Sequence, residues 1–150
     1  MHMNHYGRLA AMTVLSFLAM YVLMYAMVDR FNNVYSNVNQ VYMAGLMAAP
    51  MVLIELLLMG TMYKNKVANI AIAAAGIVAA IAFFVLIRQQ ALVGDTQFLR
   101  SMIPHHASAI LMCEKAPIAD AEINKLCGDI IASQQAEIDQ MKSKLTQLAK

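Results

Sequence analysis

The run VANIAIAAAGIVAAIAFFVLI, Val67–Ile87, decides the fold class of this chain. Its 21 residues include no charged side chain, and Asn69 is the one strongly polar residue among them. About 20 residues of α-helix cross the roughly 30 Å hydrocarbon core of a bilayer. The run therefore predicts a membrane-spanning α-helix.

Two further runs on its N-terminal side have the same character. They are LAAMTVLSFLAMYVLMYAMV, Leu9–Val28, and VYMAGLMAAPMVLIELLLMGTMY, Val41–Tyr63. The first is too long for the core of a signal peptide, so we expect it to be retained. After Arg88, charged residues recur to the end of the chain. We predict an all-α protein with a three-span domain over residues 1–90 (helices about 9–28, 41–63 and 67–87) and a soluble domain over residues 91–150.

Basic residues near the ends of the spans predict the orientation. Arg8, Lys64 and Lys66 lie on one side of the predicted membrane, and Arg30 and Arg88 lie on the other. Short cytoplasmic loops are enriched in Lys and Arg, and the KNK turn is the clearest signal of this kind. We expect a bacterial inner-membrane protein with a cytoplasmic N-terminus and a periplasmic C-terminal domain. The net charge of +2 gives no reason to expect a nucleic-acid partner.

The soluble domain begins with one predicted helix, and its apolar residues recur at helical spacing from Phe98 to Met112. Asp95 or Thr96 is the expected N-cap. Pro104 removes one backbone donor, so we expect it to bend or restart the helix just before two histidines.

A second predicted helix follows a break at Ala116–Pro117. Asp120 is its expected N-cap, and an apolar stripe runs from Ile123 to Leu145. Two helices of this length enclose little core by themselves. We therefore expect the membrane surface or a second copy to cover them, the second copy making a four-helix bundle as a homodimer or higher homo-oligomer.

Side chains that can bind a metal are concentrated in MIPHHASAILMCEK, Met102–Lys115. Donors seven residues apart share a helix face. Two such pairs occur: His105 with Met112, and His106 with Cys113. Met102 lies one turn before His105 on the same face. The alternative interpretation is that the histidines are a solvated feature of the helix and that the methionines pack in a core.

The second helix offers further donors at the level of the histidines. Counting from the turn places His105 and His106 opposite residues 130–134, and Glu137 and Met141 continue the row beyond Gln134. Imidazole with thioether or thiolate suits copper, above all Cu(I), whereas imidazole with carboxylate suits zinc or iron. The spacing therefore predicts a metal site, with copper favoured.

Cys113 and Cys127 allow three interpretations. They can form a disulfide, supply metal thiolates or remain two buried thiols. Cys127 is expected about one turn deeper in its helix than a partner level with Cys113, so the limit on Cα separation leaves the disulfide as one of three open possibilities.

The hairpin resembles a known family. Asp95 to Cys113 fit D-x-x-F-L-x-x-M-I-P-H-H-x-x-A-I-L-M-C, and Ile130 to Met141 fit I-I-x-x-Q-Q-x-E-I-D-x-M, a pattern similar to that of domain of unknown function family 305. The three spans resemble a membrane subgroup of it. The resemblance implies a ferritin-like bundle that binds copper or a related metal. The ligands it implies are Met102, His105, His106, Met112 and Met141, with Asp95, Gln134 and Glu137 as ligands or as groups that orient the ligands.

The second span carries a row of potential donors at steps of four residues. The row is Met43, Met47, Met51, Glu55 and Met59. An ionisable group inside a span is by default a functional hypothesis, so this row can be a path for a soft cation. The alternative, which we favour, is that the methionines pack against lipid and that Glu55 pairs with a Tyr or Asn to join helices.

No enzyme motif accompanies these features. The sequence contains no Glu-x-x-His pair of the kind used in two-metal ferritin-like sites, and no phosphate loop or dinucleotide fingerprint. We therefore expect a non-enzymatic, membrane-anchored protein that binds Cu(I) for copper handling or tolerance. The alternatives are a copper transport component and a structural membrane protein without metal.

Overall fold

The computed structural model describes residues 4–149, which form five α-helices and two short 3₁₀ turns and no β-strand. The five helices are α1 (His5–Leu23), α2 (Val38–Leu58), α3 (Lys66–Arg88), α4 (Asp95–Lys115) and α5 (Ala121–Leu148). The 3₁₀ turns lie between α1 and α2, at Met24–Met27 and Phe31–Asn33. The predicted all-α class is confirmed over these residues.

Three helical segments are long and apolar enough to cross a membrane: His5–Met27, Val38–Leu58 and Lys66–Arg88. The prediction of three spans is confirmed as far as helix length and composition go. Three such helices indicate that the protein associates with a membrane. The first segment begins before Leu9 because the Asn4 side chain caps α1 by accepting a hydrogen bond from Gly7 N at 2.7 Å.

The second span ends earlier than predicted. We expected it to reach Tyr63, but α2 ends at Leu58 and residues 59–62 form a turn. Gly60 lies within this turn, and glycine disfavours helix continuation. Asn65 then caps α3 by accepting a hydrogen bond from Ala68 N at 3.0 Å. The apolar run therefore extends beyond the helix that it predicts.

The described chain folds as two compact units. The first comprises residues up to Met24 together with Asn39–Ala91, and so contains α1, α2 and α3. Leu9, Val52 and Tyr63 are buried together in this unit. Many of its other large apolar side chains are exposed, for example Leu57 at 80% and Val67 at 78%. Such exposure is typical of helices that face lipid rather than water.

The second unit comprises Tyr25–Val38 and the chain from Leu92 onward, and so contains the α4–α5 hairpin and the connection between α1 and α2. Its core is formed by the buried residues Ile103, Ala107, Ile110 and Ile138. Val28 and Tyr35 of the connection pack against that core. The connection thus supplies part of the cover that we expected from the membrane or from a second copy.

Two hydrogen bonds hold this connection to the hairpin. Val38 N donates to Gln97 Oε1 at 3.0 Å, and Lys142 Nζ donates to Asn33 Oδ1 at 2.6 Å. Asn33 is buried, so its bond to the lysine replaces a contact with water that it loses on folding.

The N-cap of α5 is the residue that we predicted, whereas the N-cap of α4 is not. Asp120 caps α5 as predicted, because its carboxylate accepts hydrogen bonds from Glu122 N and Ile123 N. For α4 the N-cap is Gly94, and Asp95 lies in the first turn, where its negative charge suits the helix dipole. Helix α4 also continues through Pro104 without restarting.

Candidate metal site in the helical hairpin

The two helices of the hairpin face each other through residues spaced alternately four and three apart, which is the repeat of paired helices. On α4 the row is Leu99, Ile103, His106, Ile110 and Cys113, and on α5 it is Cys127, Ile131, Gln134, Ile138, Met141 and Leu145. All of these residues are buried or half-buried. His106 and Gln134 are the polar members among apolar residues and the cysteines. His106 therefore occupies a core position.

His106 makes a hydrogen bond through each ring nitrogen. Only 8% of the residue is exposed. Nδ1 lies 2.9 Å from the Met102 carbonyl oxygen, and Nε2 lies 2.6 Å from Glu137 Oε2. A carbonyl oxygen only accepts, so Nδ1–H is the donor there and the tautomer is fixed. One further proton lies between Nε2 and the Glu137 carboxylate, which makes the contact a short charge-assisted hydrogen bond.

This arrangement is the one that orients metal-binding imidazoles, since a carbonyl that holds one ring nitrogen leaves the other free to coordinate. A cation at His106 Nε2 would replace the proton that Nε2 shares with Glu137. A tetrahedral ion keeps neighbouring donor atoms about 3.3 Å apart, so Glu137 would have to move away from its 2.6 Å contact. Its side chain is 52% exposed and is free to do so.

His105 has a different environment from its neighbour. Its side chain is exposed, and its ring centroid lies 6.3 Å from that of His106 with the planes 62° apart. The residues at helical spacing around it form an outer stripe on α4: Phe98, Met102, His105, Ala109 and Met112. Met102 is half-buried and Met112 is 52% exposed. The two methionines of α4 therefore lie beside the row that faces α5 and not in it.

The other predicted ligands have environments that differ from those of the two histidines. Met141 packs against the apolar core, so its sulfur fills space there. Asp95 is exposed in the first turn of α4, ten residues before His105, and Gln134 is half-buried in the α5 row. Within residues 4–149 no group of three or more His, Cys, Asp or Glu side chains comes together. Of the donors expected to converge, the structure brings His106 and Glu137 into contact.

Cys113 and Cys127 form a disulfide, with their Cα atoms 5.2 Å apart. The expectation that Cys127 lies a turn too deep was wrong, because the seam places the two residues at the same level. A disulfide sulfur carries no thiolate charge. In this state Cys113 is therefore not a thiolate ligand, and Cys127 does not support one.

The row in the second span reaches the end of its helix. Glu55 lies in the last turn of α2, and not well inside the span as the longer prediction implied. Its Oε1 accepts a hydrogen bond from the Tyr63 hydroxyl at 3.2 Å. Burial, and then this bond to Glu55, raise the pKa of Tyr63, so the phenol is the donor. Met47 and Met51 are on α2, but Met59 falls in the turn.

The structure also contains a polar network that we did not predict. Asp29, whose side chain is 3% exposed, accepts hydrogen bonds from Arg30 N and from Asn33 Nδ2. Asn33 in turn accepts from Lys142. The sequence signal was the Asn-rich connection DRFNNVYSNVNQ, which is more polar than a simple loop between two spans requires.

Comparison with known proteins identifies the hairpin. A family model described as "Domain of unknown function (DUF305)" matches residues 86–150, which include both α4 and α5. The resemblance read from the sequence is confirmed over this part of the chain. An uncharacterized protein of Acanthamoeba polyphaga mimivirus is 48% identical over 59 residues. The match covers 38% of this chain and 39% of the length of that relative. No solved structure gives a significant match.

Proposed function

We propose that this chain, whose residues 86–150 are a DUF305 domain, is a membrane-anchored protein that binds Cu(I) through the histidines and methionines of α4. The role is binding for copper handling or tolerance, without catalysis. The three apolar helices anchor it in a bacterial inner membrane, with the hairpin on the periplasmic side.

The observation that carries this proposal is the arrangement of donors along α4. The His106 ring is held by the Met102 carbonyl, and its Nε2 faces the half-exposed carboxylate of Glu137. On the adjoining stripe, His105 and Met112 are exposed and Met102 is half-buried. Four donors thus lie within eleven residues of one helix, and two of them, His105 and Met112, are exposed to an incoming ion.

The donor chemistry favours Cu(I) over other metals. Met102 and His105 are three residues apart, a spacing at which side chains on a helix are neighbours with Cβ atoms about 5–6 Å apart. Thioether with imidazole suits Cu(I), which accepts few ligands and soft ones. Zinc or iron would use the His106–Glu137 pair instead, and that pair offers two donors.

A second copy would complete this site. Met112 is seven residues from His105, about 10.5 Å along the helix, so one ion cannot bind both in a single chain. An outer stripe placed against its counterpart in another copy would bring a third donor to the Met102–His105 pair. The same contact would make the four-helix bundle that we predict from the sequence.

Transport of copper through the spans is the less favoured alternative. Glu55 lies at the end of α2 and is bonded to Tyr63, which suits a group that joins two parts of the membrane unit. A transport role requires Glu55→Gln to abolish copper movement while copper binding at the hairpin persists.

The test is Cu(I) competition against a chromogenic chelator on the detergent-purified full chain, with Zn(II) measured in parallel. We compare wild type, His105→Ala/His106→Ala and a matched control, His5→Ala, which removes an exposed histidine from α1. We expect the double variant to lose affinity for Cu(I) by at least roughly tenfold and the control to bind as wild type does.

Two results would overturn the proposal. Equal Cu(I) binding by all three proteins would place the site outside α4, with the methionines of the spans as the next candidates. No Cu(I) binding by wild type, including the case in which wild type binds Zn(II) instead, would remove copper as the ion.

A further inference from the structure

The three helices of the membrane unit leave an apolar cavity of about 540 Å³ between them. Small residues line two of its walls: Gly45, Ala48 and Ala49 on α2, and Ala75, Gly76 and Ala79 on α3. The third wall is the face of α1 from Tyr6 to Phe17. Gly45 and Gly76 let the helices approach closely, since a Cβ at Gly45 would lie 2.5 Å from the Phe83 ring and one at Gly76 would lie 3.4 Å from Leu53. The cavity lies beside these close contacts.

The polar atoms of the cavity wall are already satisfied. The Thr13 hydroxyl donates to the Leu9 carbonyl at 2.9 Å, and the Tyr6 hydroxyl donates to Asn69 Oδ1 at 2.8 Å. An occupant therefore meets a hydrocarbon surface along most of its length. This excludes a metal ion or a polar solute as the ligand of the cavity itself.

The cavity has the length of one leaflet. From Tyr6 to Phe17, and from Ile72 to Phe83, each lining helix advances eleven residues, which is about 16 Å. Half of a bilayer hydrocarbon core is about 15 Å. The occupant that matches this shape is a single hydrocarbon chain that runs parallel to the helices from one membrane surface toward the midplane.

The end of the cavity at Tyr6 is basic. The Tyr6 hydroxyl lies 3.3 Å from both the backbone N and the backbone O of Asn65. Lys64 and Lys66 flank Asn65, and Arg8 follows Tyr6 by two residues. All three cations are exposed, and among the described residues none forms an ion pair. A hydrocarbon chain that enters here would carry its headgroup among three positive charges.

We infer that this cavity binds one acyl chain of an anionic phospholipid, with the lipid phosphate at Arg8, Lys64 and Lys66. The apolar walls supply the affinity for the chain, and the cations select an anionic headgroup over a zwitterionic one. This inference is independent of the metal site, because every residue that it uses lies in the membrane unit.

The test is native mass spectrometry of the full chain in detergent, equilibrated with vesicles of phosphatidylglycerol and phosphatidylcholine in equal amounts. We expect bound phosphatidylglycerol in excess over phosphatidylcholine. Ala75→Phe fills the cavity and should abolish retention of both lipids. Ala74→Phe is the matched control, since the neighbouring Ala74 is exposed and does not line the cavity.

The headgroup contact is tested separately. Lys64→Ala/Lys66→Ala should lower the preference for phosphatidylglycerol by roughly 5- to 30-fold, while the control Arg88→Ala at the far end of α3 leaves it unchanged. If Ala75→Phe does not fold, as judged by circular dichroism, Ala48→Val narrows the same cavity with a smaller side chain.

Three results would overturn the inference. Equal retention of lipid by Ala75→Phe and Ala74→Phe would place the bound lipid elsewhere, and equal retention of the two lipids by wild type would remove the role of the cations. A dimer that dissociates in Ala75→Phe, with no lipid bound to wild type, would identify a second copy as the occupant.

Discussion

His105 and His106 are adjacent in sequence, but a step of about 100° around α4 places one ring in water and the other in the hairpin seam. The exposed ring is accessible to an ion at once. The buried ring has two hydrogen-bonding partners and must exchange a proton for an ion. Metal binding at His106 should therefore release a proton, whereas His105 needs no such exchange when it is neutral.

Substitution of the two histidines should separate these roles. His106→Ala removes a buried ring and leaves a gap in the seam, so we expect the hairpin to lose about 2 kcal/mol. His105→Ala, at an exposed position, should change stability by less than about 0.5 kcal/mol. Amide hydrogen exchange of α4 and α5, measured by mass spectrometry without metal, checks this. Equal effects of the two substitutions would contradict the difference in burial.

The position of His106 in the seam was readable from the sequence, and Glu137 was expected among the donors near the histidines, but the two hydrogen bonds of the ring were not readable. Leu99, Ile103, His106, Ile110 and Cys113 already show the four-three spacing of a buried row. The contact with Glu137, however, depends on the register of two helices and on one side-chain rotamer. The hydrogen bond to the Met102 carbonyl is local to α4, and no pattern of residue types reports it.

The first nine residues of α5 depend on few contacts. From Ala121 to Asp129 every residue is exposed except Cys127, which is half-buried. This segment is held by the Asp120 cap and by the disulfide between Cys113 and Cys127. Its apolar residues Ile123 and Leu126 are about half exposed. In this segment the disulfide therefore takes the place of apolar packing against α4.

Loss of the disulfide should therefore loosen this segment selectively. The two cysteines are 14 residues apart, and closing a loop of that size stabilises a fold by about 3 kcal/mol. In Cys113→Ser/Cys127→Ser we expect faster amide exchange at the end of α4 and the start of α5, with little change at Ile138. Alkylation of the unreduced wild-type protein should label neither cysteine, and labelling of both would contradict the link.

Element boundaries followed the sequence where a capping side chain or a proline marked them. Asn65, Asp120 and Ala116–Pro117 lie at the observed ends. The end of α2 did not follow, because the apolar run continues to Tyr63 through a turn. An apolar run reports which residues avoid water, and it does not report whether those residues form a helix or a turn.

For the whole molecule, the proposed three crossings would place the α1–α2 connection and the C-terminal hairpin on the same side of the membrane. This is consistent with a compact unit that contains both segments. Which side that is remains a prediction from the basic residues, and the role of the connection as a cover for the hairpin core was not readable from the sequence. The Val28 and Tyr35 contacts join segments more than sixty residues apart.

Labelling with a membrane-impermeant maleimide tests the orientation. In the Cys113→Ser/Cys127→Ser background, Phe31→Cys introduces a thiol at a position that is 89% exposed in the connection. Lys64→Cys introduces one in the turn between α2 and α3. In intact cells we expect the first to be labelled and the second only after permeabilisation. The opposite labelling pattern would show that the N-terminus is not cytoplasmic.

X-ray absorption at the copper edge of the Cu(I)-loaded full chain tests the central claim most directly. We predict a first shell that contains both nitrogen and sulfur, with the sulfur lost in Met102→Ala/Met112→Ala and retained in the control Met43→Ala/Met47→Ala, which changes α2. A shell without nitrogen, or sulfur lost in the α2 variant and not in the α4 variant, would contradict copper binding by the hairpin.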